Sequence, residues 1–218
     1  MEYKNQSFKG KEFKVIKGST HPEYSYYTFE SEESNFRNKY WNIKKDDVVF
    51  DIGSSYGSYA LTACAMDAKV YAFEPEPTVF HGLVNNILIN NWQNICYPFN
   101  FGLYDSETSV NMKEYAPHWP EFSISQNYKV KTLDSVIKEK EIIKLDWIKI
   151  DVEGVEEQVI AGGLKSIEKF KPQMIIECHN FLNANISNNI KQTLSNIGYK
   201  FEEITRDPCL MLYASVKE

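Results

Sequence analysis

Short apolar runs alternate with segments of helical periodicity along most of this chain, and this alternation is what most restricts its fold. The runs lie at 48–52, 69–74, 94–100, 146–152 and 173–178, and the first of them is rich in β-branched residues. The segments that place apolar residues at helical spacing lie at 58–66, 77–91, 155–170 and 186–197. Buried strands that alternate with helices predict an α/β fold with a doubly wound, mostly parallel sheet. Two last runs, 199–204 and 209–216, have a short connection and predict an antiparallel hairpin at its edge.

Two stretches do not follow this alternation. Residues 1–45 are polar and aromatic, and residues 101–130 separate the third and fourth core strands. We therefore predict an N-terminal extension over 1–45 and a main domain over 46–218 with an insertion at about 101–130. Long loops in compact domains are often lids or binding loops, so His118 and Trp119 are candidates to cover a substrate. A surface elaboration that packs its own aromatic residues is an equally good expectation.

Charge, hydropathy and cysteine content argue against several classes of protein. The net charge of −6 disfavours binding to nucleic-acid phosphates, and no apolar run approaches the length of a membrane span. The polar N-terminal segment lacks the apolar core of a secretory signal. Four cysteines lie far apart without a C-x-x-C pair, which predicts reduced thiols rather than disulfides or a zinc site. These features predict a cytoplasmic protein without a membrane partner.

The first strand ends in a glycine turn, VVFDIGSSYGSY, over residues 48–59. A P-loop would need a lysine here, and the turn has none. A dinucleotide fold favours G-x-G-x-x-G, whereas Gly53 and Gly57 have G-x-x-x-G spacing. S-adenosylmethionine has no phosphate and carries positive charge, which suits the carboxylate of Asp51. The turn therefore favours S-adenosylmethionine, with NAD as a weaker alternative and helix capping as a structural role for Asp51.

Glu74 ends the second strand, where an acid can accept hydrogen bonds from both ribose hydroxyls. Dinucleotide enzymes use an acid in the same way, so Glu74 indicates adenosine binding without deciding the cofactor. A solvated strand end is the structural alternative.

The segment WIKIDVEGVEEQVIAGG at 147–163 adds a family resemblance to this reasoning. Together with DIGSSYG, VYAFEPEP, FNFGLYDSE and VKTLD, it resembles the FkbM family of S-adenosylmethionine-dependent methyltransferases in motif order and spacing. The resemblance covers roughly residues 46–180. It implies the Rossmann-like class I methyltransferase sheet of seven strands with the last antiparallel, and methylation of hydroxyls on sugars, polyketides or other small metabolites.

The resemblance also implies roles for particular residues. It places Asp51, Gly53 and Gly57 around the methionine part of the cofactor, Glu74 on the ribose, and Phe101 and Gly102 near the adenine. Family members often have Ala-Asn where this chain has Ser54-Ser55, so at Ser55 a hydroxyl replaces an amide.

The acceptor side is expected to use the acids that follow the fourth strand. The resemblance puts Asp151 at the strand end, where open α/β folds bind ligands, and we predict it to be the general base. Glu153 and Glu156 are candidates for binding substrate hydroxyls, although Glu156 could simply favour a helix N-terminus. His179, after the fifth strand, is the alternative base. Glu177 lies beside it, but two acids without supporting spacing do not specify a metal, and none is predicted.

Two classes of function therefore remain open. The first is an O-methyltransferase for a small-molecule hydroxyl, and the second is a S-adenosylmethionine- or nucleotide-binding module without catalysis. An NAD-dependent oxidoreductase is a weaker third possibility. The acids at 151, 153 and 156 favour the enzyme.

Overall fold

The computed structural model describes residues 2–16, 32–111, 126–206 and 209–216. Its largest sheet has seven strands, numbered along the chain. Their order across the sheet is β11 (Lys200–Arg206), β12 (Cys209–Ser215), β10 (Gln173–Cys178), β9 (Trp147–Ile150), β3 (Val48–Ile52), β4 (Lys69–Phe73) and β5 (Cys96–Phe99). The pairs β3–β4, β4–β5 and β9–β10 are parallel, whereas β12 is antiparallel to both β10 and β11. The predicted α/β fold, with a mostly parallel sheet and an antiparallel C-terminal hairpin, is confirmed.

The chain divides into two compact units, and the first comprises Met1–Asn100. Its elements are β1 (Tyr3–Phe8), β2 (Lys11–Ile16), α1 (Glu32–Tyr40), β3 (Val48–Ile52), α2 (Ser58–Ala65), β4 (Lys69–Phe73), α3 (Pro77–Ile89) and β5 (Cys96–Phe99). The core strands β3 and β4 are buried on both faces, as their continuous apolar sequences predict. Phe73 packs between Phe50 and Phe99, with ring centroids 5.2 and 5.3 Å away.

The second unit comprises Phe101–Glu218. Its elements are β6 (Gly102–Leu103), β7 (Thr108–Asn111), β8 (Asn127–Lys131), α4 (Leu133–Glu139), β9 (Trp147–Ile150), α5 (Glu156–Phe170), β10 (Gln173–Cys178), α6 (Ile186–Ser195), β11 (Lys200–Arg206) and β12 (Cys209–Ser215). All four residues of β9 are buried, and the strand ends before Asp151. The acids of the DVEG segment therefore lie in the turn between β9 and α5.

Both stretches outside the predicted alternation contain strands. In the N-terminal extension, β1 and β2 form an antiparallel hairpin around Lys9 and Gly10, both of which have positive φ. Phe13 and Val15 of β2 are buried while the residues between them are more exposed, which is the period-two pattern of a half-buried strand. In the insertion, a three-stranded sheet has the order β6-β8-β7. Residues 112–125, which include His118 and Trp119, lie outside the described residues.

The N-terminal hairpin is attached to α3 by two asparagines one helical turn apart. Asn90 accepts a hydrogen bond from the amide of Lys14 at 2.8 Å and donates to its carbonyl at 2.7 Å. Asn86 accepts from the amide of Ile16 at 2.9 Å. These contacts give the edge of β2 the partners that a neighbouring strand would otherwise supply.

Across the described ranges, no helix combines the length and the apolar character that crossing a bilayer requires.

Candidate functional site

The glycine turn after β3 is held in a conformation that uses three positive φ angles. Gly53, Ser55 and Gly57 have φ of 72°, 49° and 98°. The amides of Gly53 and Ser54 donate to the carbonyl of Phe73 at 3.0 and 2.9 Å, which ties the turn to the end of β4. A side chain at residue 57 would collide with Leu83, since a Cβ there would lie 2.8 Å from the Leu83 Cδ1 atom. The second glycine therefore serves both conformation and packing.

Asp51 is fully buried at the end of β3. Its Oδ2 atom accepts a hydrogen bond of 2.9 Å from the amide of Ala60 in the first turn of α2. This contact is the helix-capping role that the sequence left as an alternative, and it fixes where α2 begins relative to the glycine turn. The negative charge of Asp51 also favours a cationic group at this strand end.

Glu74 connects the end of β4 to the glycine turn. Its Oε2 atom accepts from the amide of Ser55 at 2.9 Å, and its Oε1 atom accepts from the amide of Glu76 at 2.9 Å. A carboxylate has about four acceptor positions, so bonds to these backbone donors do not by themselves prevent it from binding ligand hydroxyls. The glycine turn therefore holds the Glu74 carboxylate in place, and the two together would form the binding site.

Asn86 is a residue of this site that the sequence did not indicate. It is buried on α3, and its Nδ2 atom donates to the carbonyl of Tyr56 at 2.9 Å. The same side chain accepts from Ile16 in β2, so one amide group connects the hairpin with the glycine turn. Nothing in the helical periodicity of 77–89 distinguishes an asparagine that binds a turn from one that faces solvent.

The side chains at this turn fit S-adenosylmethionine. Asp51 and Glu74 are acids, and residues 51–60 contain no lysine or arginine that would meet a phosphate. Carboxylates beside a turn that carries no basic side chain suit a cationic ligand with ribose hydroxyls better than a pyrophosphate. Residues 51, 53, 55, 57 and 74 would hold the cofactor in this unit.

Phe101 and Gly102, the predicted adenine contacts, lie in the second unit. Gly102 begins β6 and pairs with Val130 of β8. Phe101 is half-buried, and the Nζ atom of Lys131 lies 5.6 Å from the centre of its ring. Their contact with adenine stays a prediction.

Four of the predicted acceptor-side residues come together after β9. His179 stands at their centre, with its Nδ1 atom 2.6 Å from Glu156 Oε1 and its Nε2 atom 3.2 Å from Glu153 Oε2. Asp151 Oδ1 lies 3.8 Å from the same Nε2 atom. Asp151 and Glu153 keep 28% and 20% of their side-chain surface exposed, so ligands can reach them. We call Asp151, Glu153, Glu156 and His179 the acid–histidine cluster.

The backbone of this turn is as unusual as its side chains. Glu153 has φ of 58°, a left-handed conformation that is costly for residues other than glycine, and Gly154 follows with φ of 105°. Such conformations persist when the surrounding structure imposes them, and they occur often at functional sites. The turn directs the Glu153 carboxylate back onto His179.

The carboxylates keep His179 protonated. Burial alone would lower its pKa, but hydrogen bonds to Glu153 and Glu156 and the charges of Asp151 and Glu153 outweigh that effect and raise the pKa to about 11. At neutral pH the imidazole therefore has a proton on each nitrogen and no free lone pair. Asp151, the first candidate from the sequence, stays the predicted base.

Glu156 is the orienting member of the cluster. It is fully buried at the start of α5, where its Oε1 atom accepts from His179 and from the amide of Gly154 at 3.0 Å. In this structure it therefore holds the turn and the imidazole, and its contact with a substrate hydroxyl stays a prediction.

Lys149 was not indicated by the sequence. It lies within the apolar strand β9, is nearly fully buried, and places its Nζ atom 3.3 Å from Asp151 Oδ2. Its position inside an otherwise apolar strand could have indicated a partner, because a charged residue is rarely buried without one.

A family comparison agrees with this geometry. The model of the methyltransferase FkbM domain matches residues 51–201, a range that includes the glycine turn and the acid–histidine cluster. The chain belongs to the FkbM methyltransferase family. Membership implies S-adenosylmethionine as the cofactor, in agreement with the acidic side chains at the glycine turn.

A relative of described activity is the hexuronic acid methyltransferase AglP of Haloferax volcanii. It is 29% identical over 141 residues, which make up 62% of this chain and 57% of that protein. This chain therefore spans little more than half the length of that relative.

Solved structures show the same fold. The methyltransferase FkbM of Methylobacillus flagellatus is similar with a TM-score of 0.59 at 17% identity, over 77% of this chain and 44% of that one. A tRNA (uracil-54, C5)-methyltransferase of Pyrococcus abyssi is similar with a TM-score of 0.55 at 14% identity, over 100% and 45% of the two chains. At these identities the likeness concerns the fold alone.

Proposed function

We propose that this protein transfers a methyl group from S-adenosylmethionine to a hydroxyl of a small, sugar-containing acceptor. The observation that carries the proposal is the acid–histidine cluster, in which Asp151 follows β9 as a partly exposed carboxylate with positive groups on two sides. The family match supports methyl transfer, and the hexuronic acid methyltransferase supports a sugar acceptor.

The glycine turn and Glu74 would bind the cofactor, whose sulfonium supplies an electrophilic methyl group. Methyl transfer is an in-line displacement, so most of the catalysis can come from holding donor and acceptor in line. The contribution expected of Asp151 is chemical. Its carboxylate would accept the hydroxyl proton as the oxygen forms its bond to the methyl carbon, since a protonated alcohol is a poor nucleophile.

The neighbours of Asp151 would position it for this step. Lys149 contacts Oδ2 at 3.3 Å, and the protonated His179 lies on the side of Oδ1. Glu153 would accept a hydrogen bond from a second hydroxyl of the same methyl acceptor, and a sugar has several such hydroxyls. His179 was the alternative base, but its two protonated nitrogens make it a positioning residue in this proposal.

The test is steady-state kinetics with a panel of glycosides, with and without a uronic carboxylate. Asp151→Asn should lower kcat by about 10²–10⁴-fold while S-adenosylmethionine affinity is retained, as loss of a general base predicts. Glu153→Gln should mainly raise the acceptor KM.

Glu157→Gln is the matched control, because Glu157 neighbours the cluster in sequence but bonds to Asn189 at 3.0 and 3.1 Å. Near-normal turnover in Asp151→Asn would remove its assignment. Cofactor binding without turnover on any acceptor of the panel would instead favour a binding module without catalysis.

A further inference from the structure

We propose that Asp151, Glu153 and His179 form a binding site for a divalent metal cation. These three side chains offer two carboxylate oxygens and one imidazole nitrogen, all within 4.8 Å of one another. From His179 Nε2, the distances are 3.2 Å to Glu153 and 3.8 Å to Asp151. Bonds of about 2.1 Å to one ion separate ligand atoms by about 3 Å at right angles and somewhat more at wider angles. A small shift of Asp151 would complete the set.

Glu156 provides an independent observation for a cation. Metal-binding histidines usually donate their second N–H to a carboxylate, which orients the ring and makes it a better ligand. Glu156 has this position at 2.6 Å from Nδ1, and it is fully buried. Its Oε2 atom is also buried and has no hydrogen-bond partner among the described residues. A buried carboxylate with an unsatisfied oxygen is costly unless positive charge lies close to it.

The charge of the surroundings also favours a cation. Asp151, Glu153 and Glu156 carry three negative charges around one imidazole. Lys149 adds one positive charge beside Asp151, so the carboxylates still leave two negative charges in excess. A divalent ion bound to Nε2 of a neutral imidazole would bring this set to neutrality.

Glu177, His179 and Cys209 form a second group with suitable atoms. It shares His179 with the first group, so the same nitrogen cannot serve both. Glu177 and Cys209 are buried, whereas Asp151 and Glu153 keep 28% and 20% of their side-chain surface exposed. An ion from solvent can therefore reach the first group directly, which makes it the better site.

The donor set indicates which ions fit. One nitrogen and two carboxylate oxygens suit Mn²⁺, Fe²⁺, Co²⁺ or Zn²⁺, whereas Mg²⁺ prefers oxygen alone. Three protein ligands leave coordination positions open on the exposed side of Asp151 and Glu153. If the proposed methyl transfer holds, the ion would supply a Lewis acid for the acceptor hydroxyl, and Asp151 would still accept the hydroxyl proton. The claim that a cation binds does not depend on that function.

The experiment measures Mn²⁺ binding to the full chain by electron paramagnetic resonance and calorimetry, without cofactor or acceptor. We expect one saturable site. Asp151→Asn and Glu153→Gln should each weaken it by at least about 10–100-fold, the loss typical even of an outer-shell change. Glu157→Gln and Cys209→Ser should stay within about twofold of the wild type. His179 is left unchanged, because its removal would leave the buried Glu156 charge unpaired and could unfold the protein.

Folding of every variant is checked by circular dichroism. The proposal is overturned if wild-type protein shows no saturable Mn²⁺ binding, or if Asp151→Asn and Glu153→Gln bind as the wild type does. Equal weakening by Glu157→Gln would also overturn it, since it would reveal general attraction to acidic surface. Loss through Cys209→Ser would move the ion to the second group. Because no methyl transfer is measured, failure here leaves the proposed function standing, and failure of turnover leaves the metal site standing.

Discussion

At the scale of single residues, Glu74 and Glu76 differ in which backbone amides their carboxylates bind. Glu74 receives the amides of Ser55 and Glu76, whereas Glu76 caps α3 by accepting from the amide of Val79. Both side chains are nearly fully buried. They therefore form a matched pair in which only the first is joined to the glycine turn.

Glu74→Ala should weaken S-adenosylmethionine binding by about 1.5–3 kcal/mol, because charged hydrogen bonds to the ribose are lost. It should also lower the free energy of unfolding, since two backbone amides lose their acceptor. Glu76→Ala should cost about 1 kcal/mol of stability, as loss of an N-cap does, and leave cofactor affinity unchanged. Calorimetry and urea denaturation measure the two effects. Unchanged affinity in a folded Glu74→Ala protein would take Glu74 out of the site.

Tyr199 couples stability to alkaline pH. Its hydroxyl is buried and donates to the carbonyl of Pro172 at 2.8 Å, and burial raises its pKa well above the usual value of 10.0. The folded chain thus keeps a proton that the unfolded chain loses above about pH 10. This contribution to stability is complete below pH 10 and declines as the pH rises toward the folded-state pKa.

Tyr199→Phe should therefore be less stable than the wild type at about pH 8, by about 0.5–1.5 kcal/mol for the lost hydrogen bond. Near pH 11 the difference in the free energy of unfolding should shrink or reverse. Only the wild type has this phenol, whose ionisation lowers its stability by up to about 1.4 kcal/mol per pH unit. Urea denaturation of both proteins at the two pH values measures it. A difference that is constant with pH would show that Tyr199 ionises equally in both states.

At the scale of elements, α5 depends on two adjacent glycines that face different neighbours. A Cβ at Gly162 would lie 2.0 Å from the carbonyl oxygen of Tyr104, which is backbone. A Cβ at Gly163 would lie 3.0 Å from both the Cβ and a Cδ atom of Leu133 at the start of α4, which is tight but 1.0 Å longer than the contact at Gly162. The close approach of α5 to these segments is what requires glycine inside a helix.

Gly162→Ala should destabilise the protein by more than about 2 kcal/mol, since a backbone clash costs more than the gain in helix propensity of about 1 kcal/mol. At Gly163→Ala the same propensity gain should offset most of the crowding, and the net change should stay within about 1 kcal/mol. Thermal and urea unfolding compare the two variants. Equal losses would mean that Leu133 is as rigid as the Tyr104 backbone.

Elements with their own periodicity were predictable from the sequence, and the others were not. The strand at 48–52 and the helix at 156–170 each have enough apolar residues at one spacing to define their type. The two-residue strand β6 and the polar strand β7 have no such pattern, because their pairing with β8 defines them. The predicted strand at 146–152 ends at Ile150, since a strand pattern does not mark where a turn with positive φ begins.

The acid–histidine cluster was likewise only partly predictable from the sequence. Asp151 and His179 were predictable as neighbours, because each follows a parallel strand at its carboxyl end. The part played by Glu156 was not, since the sequence gives no sign that the first residue of a helix turns back to bind a histidine. Lys149 and Asn86 were missed because each polar group is satisfied by a partner that only the folded chain brings near.

At the scale of the whole molecule, a ligand that binds only the folded chain stabilises all of it, so the melting temperature reports the nature of the cofactor. At 100 times its dissociation constant, S-adenosylmethionine should add about 2.7 kcal/mol of stability. For a chain of this size that corresponds to a rise of about 5–11 °C. NAD and ATP at the same concentration should give no comparable rise, because residues 51–60 hold no basic side chain for their phosphates. Glu74→Ala should reduce the rise at equal S-adenosylmethionine concentration while Glu76→Ala keeps it. An equal rise with NAD would contradict the assignment and restore the dinucleotide interpretation of the turn.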